Sequence, residues 1–574
     1  MQRQRSILGT ACVVSCIVSS ALITSCGGDG AGGNATPATT RSSASESGAW
    51  FREVAAQRGL DFVHRRNGER QNYWVPEISS GGVAFFDFDG DGALDIYCVQ
   101  SGSLEPPGSG PGRNKLYKGD GKGGFTDVTA GSGVDDMGYG HGVCTGDYDG
   151  DGDLDLYVAN LGPNKLFRND GGGRFTDVTA EAGVAGNAWS AGCVFADYDL
   201  DGDYDLFVVN NLSWSQAIER ICRTTRGERD YCAPTNYNAP STDTLFRNDG
   251  NGRFTDVSEE VGLPATSGTG WGVAVADFNG DRYPDFYVTN DGMPNAMWYS
   301  DGNGKFTDEA RKLGCAVNGN GRSEAGMGVQ VVDLKNDGNW GLFMTHVRDE
   351  SNTYYASKNG VWADKTNVTG LGASSMKYTG FGMGFADFDQ DGLLDLFIAN
   401  GRVALFRPLL REDAPYAEPN QLYRGIGDGK FDELPSPTAE PLIATSRAAA
   451  FGDMDNDGDV DICYIDSNES VKLLENVAPK VGGWVGFRLL DKGGSDALGS
   501  VVRLELEGRS AAPVQTKVLQ TSYSFCAAND HRLQFGTGEA GAVKQLSVTW
   551  PDGSRSQHGP FELGRYHVLQ QPGT

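Results

Sequence analysis

Asp147-Tyr148-Asp149-Gly150-Asp151-Gly152-Asp153-Leu154-Asp155 runs directly into Leu156-Tyr157-Val158-Ala159-Asn160, and the joint between those two runs decides the fold. Carboxylates at positions one, three and five of a tight loop converge on a point, glycine at position six allows the sharp turn, and residue seven offers its carbonyl. Hard oxygen ligands in that number suit calcium, as in the first half of an EF-hand loop. An EF-hand would close with Glu at position twelve between two helices. Here Asp155, at position nine, leads into β-type sequence, so the loop joins two strands.

The nine-residue pattern recurs seven times along the chain. Clear copies place carboxylates at Asp87, Asp89, Asp91 and Asp95; at Asp197, Asp199, Asp201 and Asp205; at Asp387, Asp389, Asp391 and Asp395; and at Asp453, Asp455, Asp457 and Asp461. The fourth copy in chain order (Asp277, Asn279, Asp281, Asp285) has Arg282 in place of the glycine, and the fifth, from Asp333 to Gly341, has Lys335 at position three. A single such loop would be ordinary turn chemistry. Seven in the same place are a repeat, and so many clustered carboxylates repel one another strongly without a cation. The expectation is five good calcium sites, one weaker and one empty, with Lys335 standing in for the ion in the degraded loop; the five or six ions would be structural.

Each loop sits in a larger unit. A Gly-flanked apolar strand such as Gly142-Val143-Cys144-Thr145-Gly146 precedes it; a second strand, a short connection and a hairpin such as 164–179 follow. Four antiparallel strands repeated at this period make one propeller blade. The seventh repeat stops after Lys472-Leu473-Leu474-Glu475-Asn476, while residues 51–60 look like residues 175–184. Residues 51–62 are therefore expected to complete the last blade and remove an exposed sheet edge. The fold class is all-β: a seven-bladed β-propeller over 51–478, then a small β-sandwich or barrel over 479–574, where apolar and polar residues alternate in short runs bounded by glycine and proline.

The beginning of the chain reads as an export signal. Arg3 and Arg5 precede an apolar run from Ile7 to Ile23, and Leu22-Ile23-Thr24-Ser25-Cys26 resembles a bacterial lipobox. Residues 1–25 would be the signal peptide, Cys26 the lipidated residue, and 26–50 a flexible tether of small residues unable to bury a core. The protein is then extracytoplasmic and held to the cell envelope by lipid alone. Export permits disulfides, and of the eleven cysteines only Cys222 and Cys232, close together in one insertion, are expected to pair. With 48 basic and 76 acidic residues the net charge is −28, which argues against nucleic acid and anionic headgroups as partners.

Gly82-Val83-Ala84-Phe85-Phe86-Asp87-Phe88-Asp89-Gly90-Asp91-Gly92, Tyr231-Cys232-Ala233-Pro234-Thr235-Asn236-Tyr237 and Asn290-Asp291-Gly292-Met293-Pro294-Asn295 resemble the FG-GAP/VCBS propellers related to integrin α-subunits, and more closely the cartilage acidic protein family. Residues 480–571 resemble the ASPIC/UnbV domain through Val485–Leu489, Gly499–Arg503, His531–Gly538 and Val548–Gly553, with Thr537 standing where that domain usually has Leu. The resemblance implies a calcium-bearing propeller that serves adhesion or binding.

If the calcium loops join the first and second strands of each blade, the insertions at 211–243, 291–295 and 401–419 fall on the opposite rim. His141, Trp189, Trp214, Trp271, Arg322, Glu324, Arg402 and Arg447 are the ligand-binding candidates there, an aromatic and charged mixture suited to a sugar or a peptide. Packing between blades is the alternative role for the tryptophans. There are six histidines, no Gly-x-Ser-x-Gly elbow and no HExxH helix, and a fully sheathed calcium lacks the open position that metal-assisted hydrolysis needs. The reading favours a carbohydrate- or protein-binding protein; the alternative is a lyase- or dehydratase-like carbohydrate enzyme using Glu324 or His141.

Overall fold

The computed structural model describes residues 48–69, 71–104, 112–508 and 510–573. The signal peptide, Cys26 and nearly all of the tether lie outside these residues. Among them the architecture is β-propeller-like: seven sheets, each with a four-stranded antiparallel unit whose strands follow sequence order in all but the seventh.

The first strands are Val83–Phe86, Gly140–Gly146, Ser190–Ala196, Gly270–Ala276, Val329–Val332, Gly380–Ala386 and Ser446–Gly452. Each lies against the first strands of the preceding and following sheets, and the seventh lies against the first, so they close a ring. Glycine makes the close approach possible. A Cβ on Gly142 would sit 1.9 Å from the Ala191 carbonyl oxygen, and one on Gly382 would sit 2.5 Å from that of Arg447; Gly82, Gly192, Gly272 and Gly328 face the next strand in the same way. Between sheets the apolar faces interlock, as where Phe207 and Phe286 stack with ring centres 4.4 Å apart.

The fourth strand of the seventh sheet comes from the other end of the ring. Phe51–Glu53 pairs antiparallel with Lys472–Asn476, Phe51 opposite Asn476. The strand is only three residues long; the chain then turns away and touches the sheet again at a bridge from Val63 to Ser470.

Beyond the ring, Gly483–Leu490 lies between Leu533–Gly538 and Tyr566–Gln570, and Val514–Val518, Val501–Glu507, Ala542–Thr549 and Arg555–His558 form a second sheet. Both sheets bury side chains in one core around Phe487, Leu504, Phe535 and Trp550.

Between Val518 and Leu533 the chain leaves this terminal domain and enters the centre of the ring. Phe525 is fully buried, its ring centre 5.3 Å from that of Trp271 and 4.9 Å from that of Phe381. Ala527 and Ala528 pair in parallel with Val83 and Ala84, adding a fifth strand to the first sheet. Ser524 exchanges two backbone hydrogen bonds of 3.0 Å with Val329 and accepts the Met383 N–H at 2.9 Å. The Cys526 thiol faces the Ala191 carbonyl at 3.8 Å, Asn529 accepts the Phe451 N–H at 2.9 Å, and His531 lies 2.8 Å from the Thr145 hydroxyl. One short segment thus touches all seven first strands.

Candidate functional site

The repeated loops have one backbone design. Position six is left-handed in all seven, with φ from 80° at Arg282 and Gly338 to 101° at Gly202. Position four is left-handed too, even where Leu200, Asn336, Gln390 or Asn456 occupies it. The first Asp fastens this turn: Asp87 accepts the N–H groups of Asp91 at 3.1 Å and Gly92 at 2.9 Å.

Three of the four expected carboxylates in each regular loop come closest together. In five loops the groups at positions one, three and nine each bring an oxygen within 4.8 Å of the other two: Asp87, Asp89, Asp95; Asp147, Asp149, Asp155; Asp197, Asp199, Asp205; Asp387, Asp389, Asp395; and Asp453, Asp455, Asp461. One oxygen of the fifth-position Asp caps the backbone of residue seven, as where Asp91 accepts the Ala93 N–H at 2.9 Å and Asp151 that of Asp153 at 3.0 Å. The ninth residue ties the loop to the sheet: Asp95 accepts the Phe88 N–H at 2.9 Å and, from the third strand, the Gly119 N–H at 2.8 Å.

Burial pushes the Asp95 carboxyl up to about 8 and that of Asp205 to about 9, and the neighbouring carboxylates add to the rise. An all-oxygen donor set of three carboxylates, the ninth-position one buried in every case, fits a hard divalent cation such as calcium. Side-chain cations approach some of the same groups. Lys118 pairs with Asp89 and, at 2.9 Å, with Asp91; Arg424 lies 2.9 Å from Asp389 and 3.2 Å from Asp391.

The two irregular loops are arranged differently. In the fourth, Asn279 donates to Asp281 at 3.0 Å and Asp277 accepts the Arg282 N–H at 2.8 Å, while buried Asp285 keeps its bonds to Phe278 and Ser300. In the fifth, Asp333 accepts the Gly338 N–H at 2.7 Å. Lys335 forms no ion pair among the described residues, contrary to its expected role as a stand-in. Position nine is packed by Tyr354, whose ring would meet a Cβ on Gly341 at 2.4 Å.

Sequence reading did not anticipate that the terminal domain reaches these loops. The Ser495 hydroxyl donates to Asp147 at 2.5 Å, the Tyr566 hydroxyl donates to Asp453 at 2.9 Å, and Asn336 of the fifth loop accepts the Thr516 N–H at 2.9 Å. The loop face of the ring is the face that carries the terminal domain.

On the opposite face the eight ligand candidates separate. His141, Trp189, Trp271, Arg402 and Arg447 are buried, at most 4% exposed, so they do not form the open surface expected of them. The reason is a cover made by residues 64–69 and 71–80 and the two long insertions. Arg447 donates to the carbonyls of Ile78 at 2.7 Å, Gly401 at 2.9 Å and Arg402 at 3.0 Å, with its guanidinium 4.0 Å from the centre of the Phe381 ring. His141 bonds Ser79 at 2.8 Å and packs 5.5 Å from the Trp189 ring, which meets Trp271 edge-on at 5.6 Å. Arg402 pairs with buried Glu418 at 3.1 Å. Trp214 is half-buried beside Trp74, ring centres 6.0 Å apart, and donates to Glu219 at 2.8 Å. Arg322 is exposed and Glu324 half-buried. Cys222 and Cys232 are joined by a disulfide within the 211–243 insertion.

The FG-GAP-like repeat matches residues 87–158, 147–208, 227–288 and 277–344, and ASPIC and UnbV matches residues 491–574. The chain is 26% identical over 324 residues to cartilage acidic protein 1 of Homo sapiens, covering 52% of this chain and 43% of that protein. It is 25% identical over 328 residues to cartilage acidic protein 1 of Xenopus tropicalis, covering 52% and 44%. The chain therefore spans less than half the length of the curated relatives it matches. Among solved structures, a Burkholderia pseudomallei lectin aligns with a TM-score of 0.41 at 10% identity, covering 69% of this chain and 96% of the lectin. A Bacillus licheniformis rhamnogalacturonan lyase aligns with a TM-score of 0.38 at 13% identity, covering 75% and 76%.

Proposed function

We propose that this chain, an FG-GAP repeat protein with a C-terminal ASPIC and UnbV domain, is an exported binding or adhesion protein. In this reading its seven sheets are propeller blades stiffened by calcium in five of the loops, and a carbohydrate or protein ligand binds on the face away from those loops. The observation that carries the reading is the division of labour between the faces. Hydrogen bonds from Ser495, Thr516 and Tyr566 commit the loop face to the terminal domain. The long insertions, one closed by the Cys222–Cys232 disulfide, gather at the other face with half-buried Trp74 and Trp214 and exposed Arg322. Loops carried on a rigid scaffold are where binding groups concentrate.

The five carboxylate triads, each with its ninth-position Asp buried, support calcium as a structural ion. The disulfide and the basic-then-apolar leader support export, with Cys26 as the lipidated residue and the cell envelope as the site of action. The test applies the purified full chain to glycan and protein arrays in calcium-containing buffer and follows both retention and turnover. Retention that Trp214→Ala weakens is expected. Turnover of a retained oligosaccharide, or retention unchanged by every far-face substitution, refutes the reading.

A further inference from the structure

The insertion 211–243 contains Arg220, Arg223, Arg226 and Arg229 against Glu219, Glu228, Asp230 and Asp243, and the fold treats the two signs differently. Every carboxylate has partners. Glu219 accepts the Trp214 indole N–H at 2.8 Å, the Tyr237 hydroxyl and the Val75 N–H at 3.3 Å. Asp230, 6% exposed, accepts the Leu405 N–H at 2.8 Å and the Tyr416 hydroxyl at 2.9 Å. Glu228 pairs with Arg407 at 2.8 Å, and Asp243 accepts the Asn210 N–H at 3.1 Å. Of the arginines only Arg229 is tied down to another part of the chain, donating to the Asn72 carbonyl at 3.0 Å beside the Tyr73 ring. Arg220, Arg223 and Arg226 are exposed, and among the described residues none of them forms an ion pair.

The three arginines sit on a stiff support. Cys222 and Arg223 pair across a hairpin with Asp230 and Arg229, Thr224 donates to the Glu228 carbonyl at 2.9 Å, and the Cys222–Cys232 disulfide closes the base. Arg223 thus stands opposite Arg229, a like-charge pairing that weakens a hairpin. Large apolar side chains are exposed beside them: Ile221 is 66% exposed, Ile218 36% and Phe406 40%. Phe406 is held at the hairpin by its neighbours, since Leu405 bonds Asp230 and Arg407 bonds Glu228. Arginine and large apolar groups together, on a rigid element, are the composition of protein contact centres. A hydroxylated polymer of sugar acids has no use for isoleucine. A bilayer of anionic lipid is an extended negative surface and would meet the whole charge of −28, whereas a protein can present carboxylates to the hairpin alone.

We propose that the disulfide-closed hairpin is a docking element for an acidic protein partner, whose carboxylates pair with Arg220, Arg223 and Arg226 while its apolar groups cover Ile218, Ile221 and Phe406. This rests on the far-face reading above and narrows it to one partner chemistry. The test measures, by fluorescence anisotropy, binding to the full chain of a labelled peptide of Glu-Glu-Leu repeats, with the Gln-Gln-Leu peptide as the uncharged control. The acidic peptide is expected to bind at least about tenfold more tightly than the control, with an advantage that fades as salt is raised. An Arg220→Gln, Arg223→Gln, Arg226→Gln variant that keeps the wild-type melting temperature should lose that advantage, and Ile221→Ser should weaken both peptides by about fivefold. Equal binding of the two peptides, an unaffected triple variant, or tighter binding of polygalacturonate or phosphatidylglycerol vesicles than of the acidic peptide overturns the docking element. Should the triple variant not fold, the wild-type comparison of the two peptides decides. A macromolecule retained on the arrays by wild type and triple variant alike sinks the hairpin contact and spares the far-face reading. Turnover of an oligosaccharide, with peptide binding through the arginines intact, sinks the reading of a binding protein and spares the contact.

Discussion

Replacing Phe525 by alanine should loosen the whole molecule from its centre. The side chain is fully buried, its ring set edge-on at 82° and 4.9 Å to Phe381 and tilted at 5.3 Å to Trp271. Truncating a buried Phe costs about 3–5 kcal/mol through lost transfer energy and the cavity left behind, and each aromatic pair contributes about 0.5–1.5 kcal/mol beyond its area. Because the partners come from the ring while the residue belongs to the terminal domain, the loss falls on their mutual docking. Urea unfolding should show a loss of about 4 kcal/mol, or a split into two transitions, with new protease cleavage between residues 476 and 483. Phe487→Ala, in the terminal domain's own core, should unfold that domain instead and serves as the control. A loss below about 1 kcal/mol with unchanged cleavage would refute the claim that this residue joins the two parts.

Chelating calcium with EGTA should lower the melting temperature, since one site held at a hundred times its dissociation constant contributes about 2.7 kcal/mol; an unchanged melt removes the structural ion. Alanine at Asp149 and Asp151 together should destabilise the protein strongly, whereas Asp337→Ala should change little, and the opposite ranking overturns the loop assignments. Burial holds the Asp466 carboxyl up at about 7, with Ser446 and Lys472 opposing the shift. A raised folded-state value means that its contribution to stability is full below the unfolded value near 4 and is lost as pH climbs through 7. The stability of Asp466→Asn relative to wild type should therefore rise between pH 4 and pH 7, and a flat difference contradicts the assignment. Replacing Cys222 and Cys232 by serine should speed proteolysis within 211–243 and cost about 2–4 kcal/mol; unchanged digestion would show that the bridge constrains nothing.

The carboxylate loops were legible because their chemistry is local: each turn and its ligand set fit within nine residues. Even there, spacing alone did not show that the ninth-position Asp is fastened to the third strand while the fifth-position one caps the loop backbone. Asp91 and Asp95 look equivalent on paper, and only the path of the second strand turns Asp95 inward. Phe525 was illegible for the opposite reason. Phe525-Cys526-Ala527-Ala528 is a short apolar run without periodicity, and the partners of residues 524–531 are one or two residues from each of seven distant strands. Arg447 carried a misleading signal. A charged residue beside a loop normally faces water, yet ring closure brings three carbonyls, from residues 78, 401 and 402, around its guanidinium.

Repeats that descend from one ancestral unit are in principle interchangeable around a circle. The inserted peptide abolishes that equivalence. It asks for a parallel strand partner at Val83, a hydroxyl at Thr145, an indole at Trp271 and a phenyl face at Phe381, so the first position of every repeat answers to a different demand. Duplicating, deleting or permuting a single unit would put six others out of step with the spindle they surround, and divergence among the repeats is a condition of the assembly.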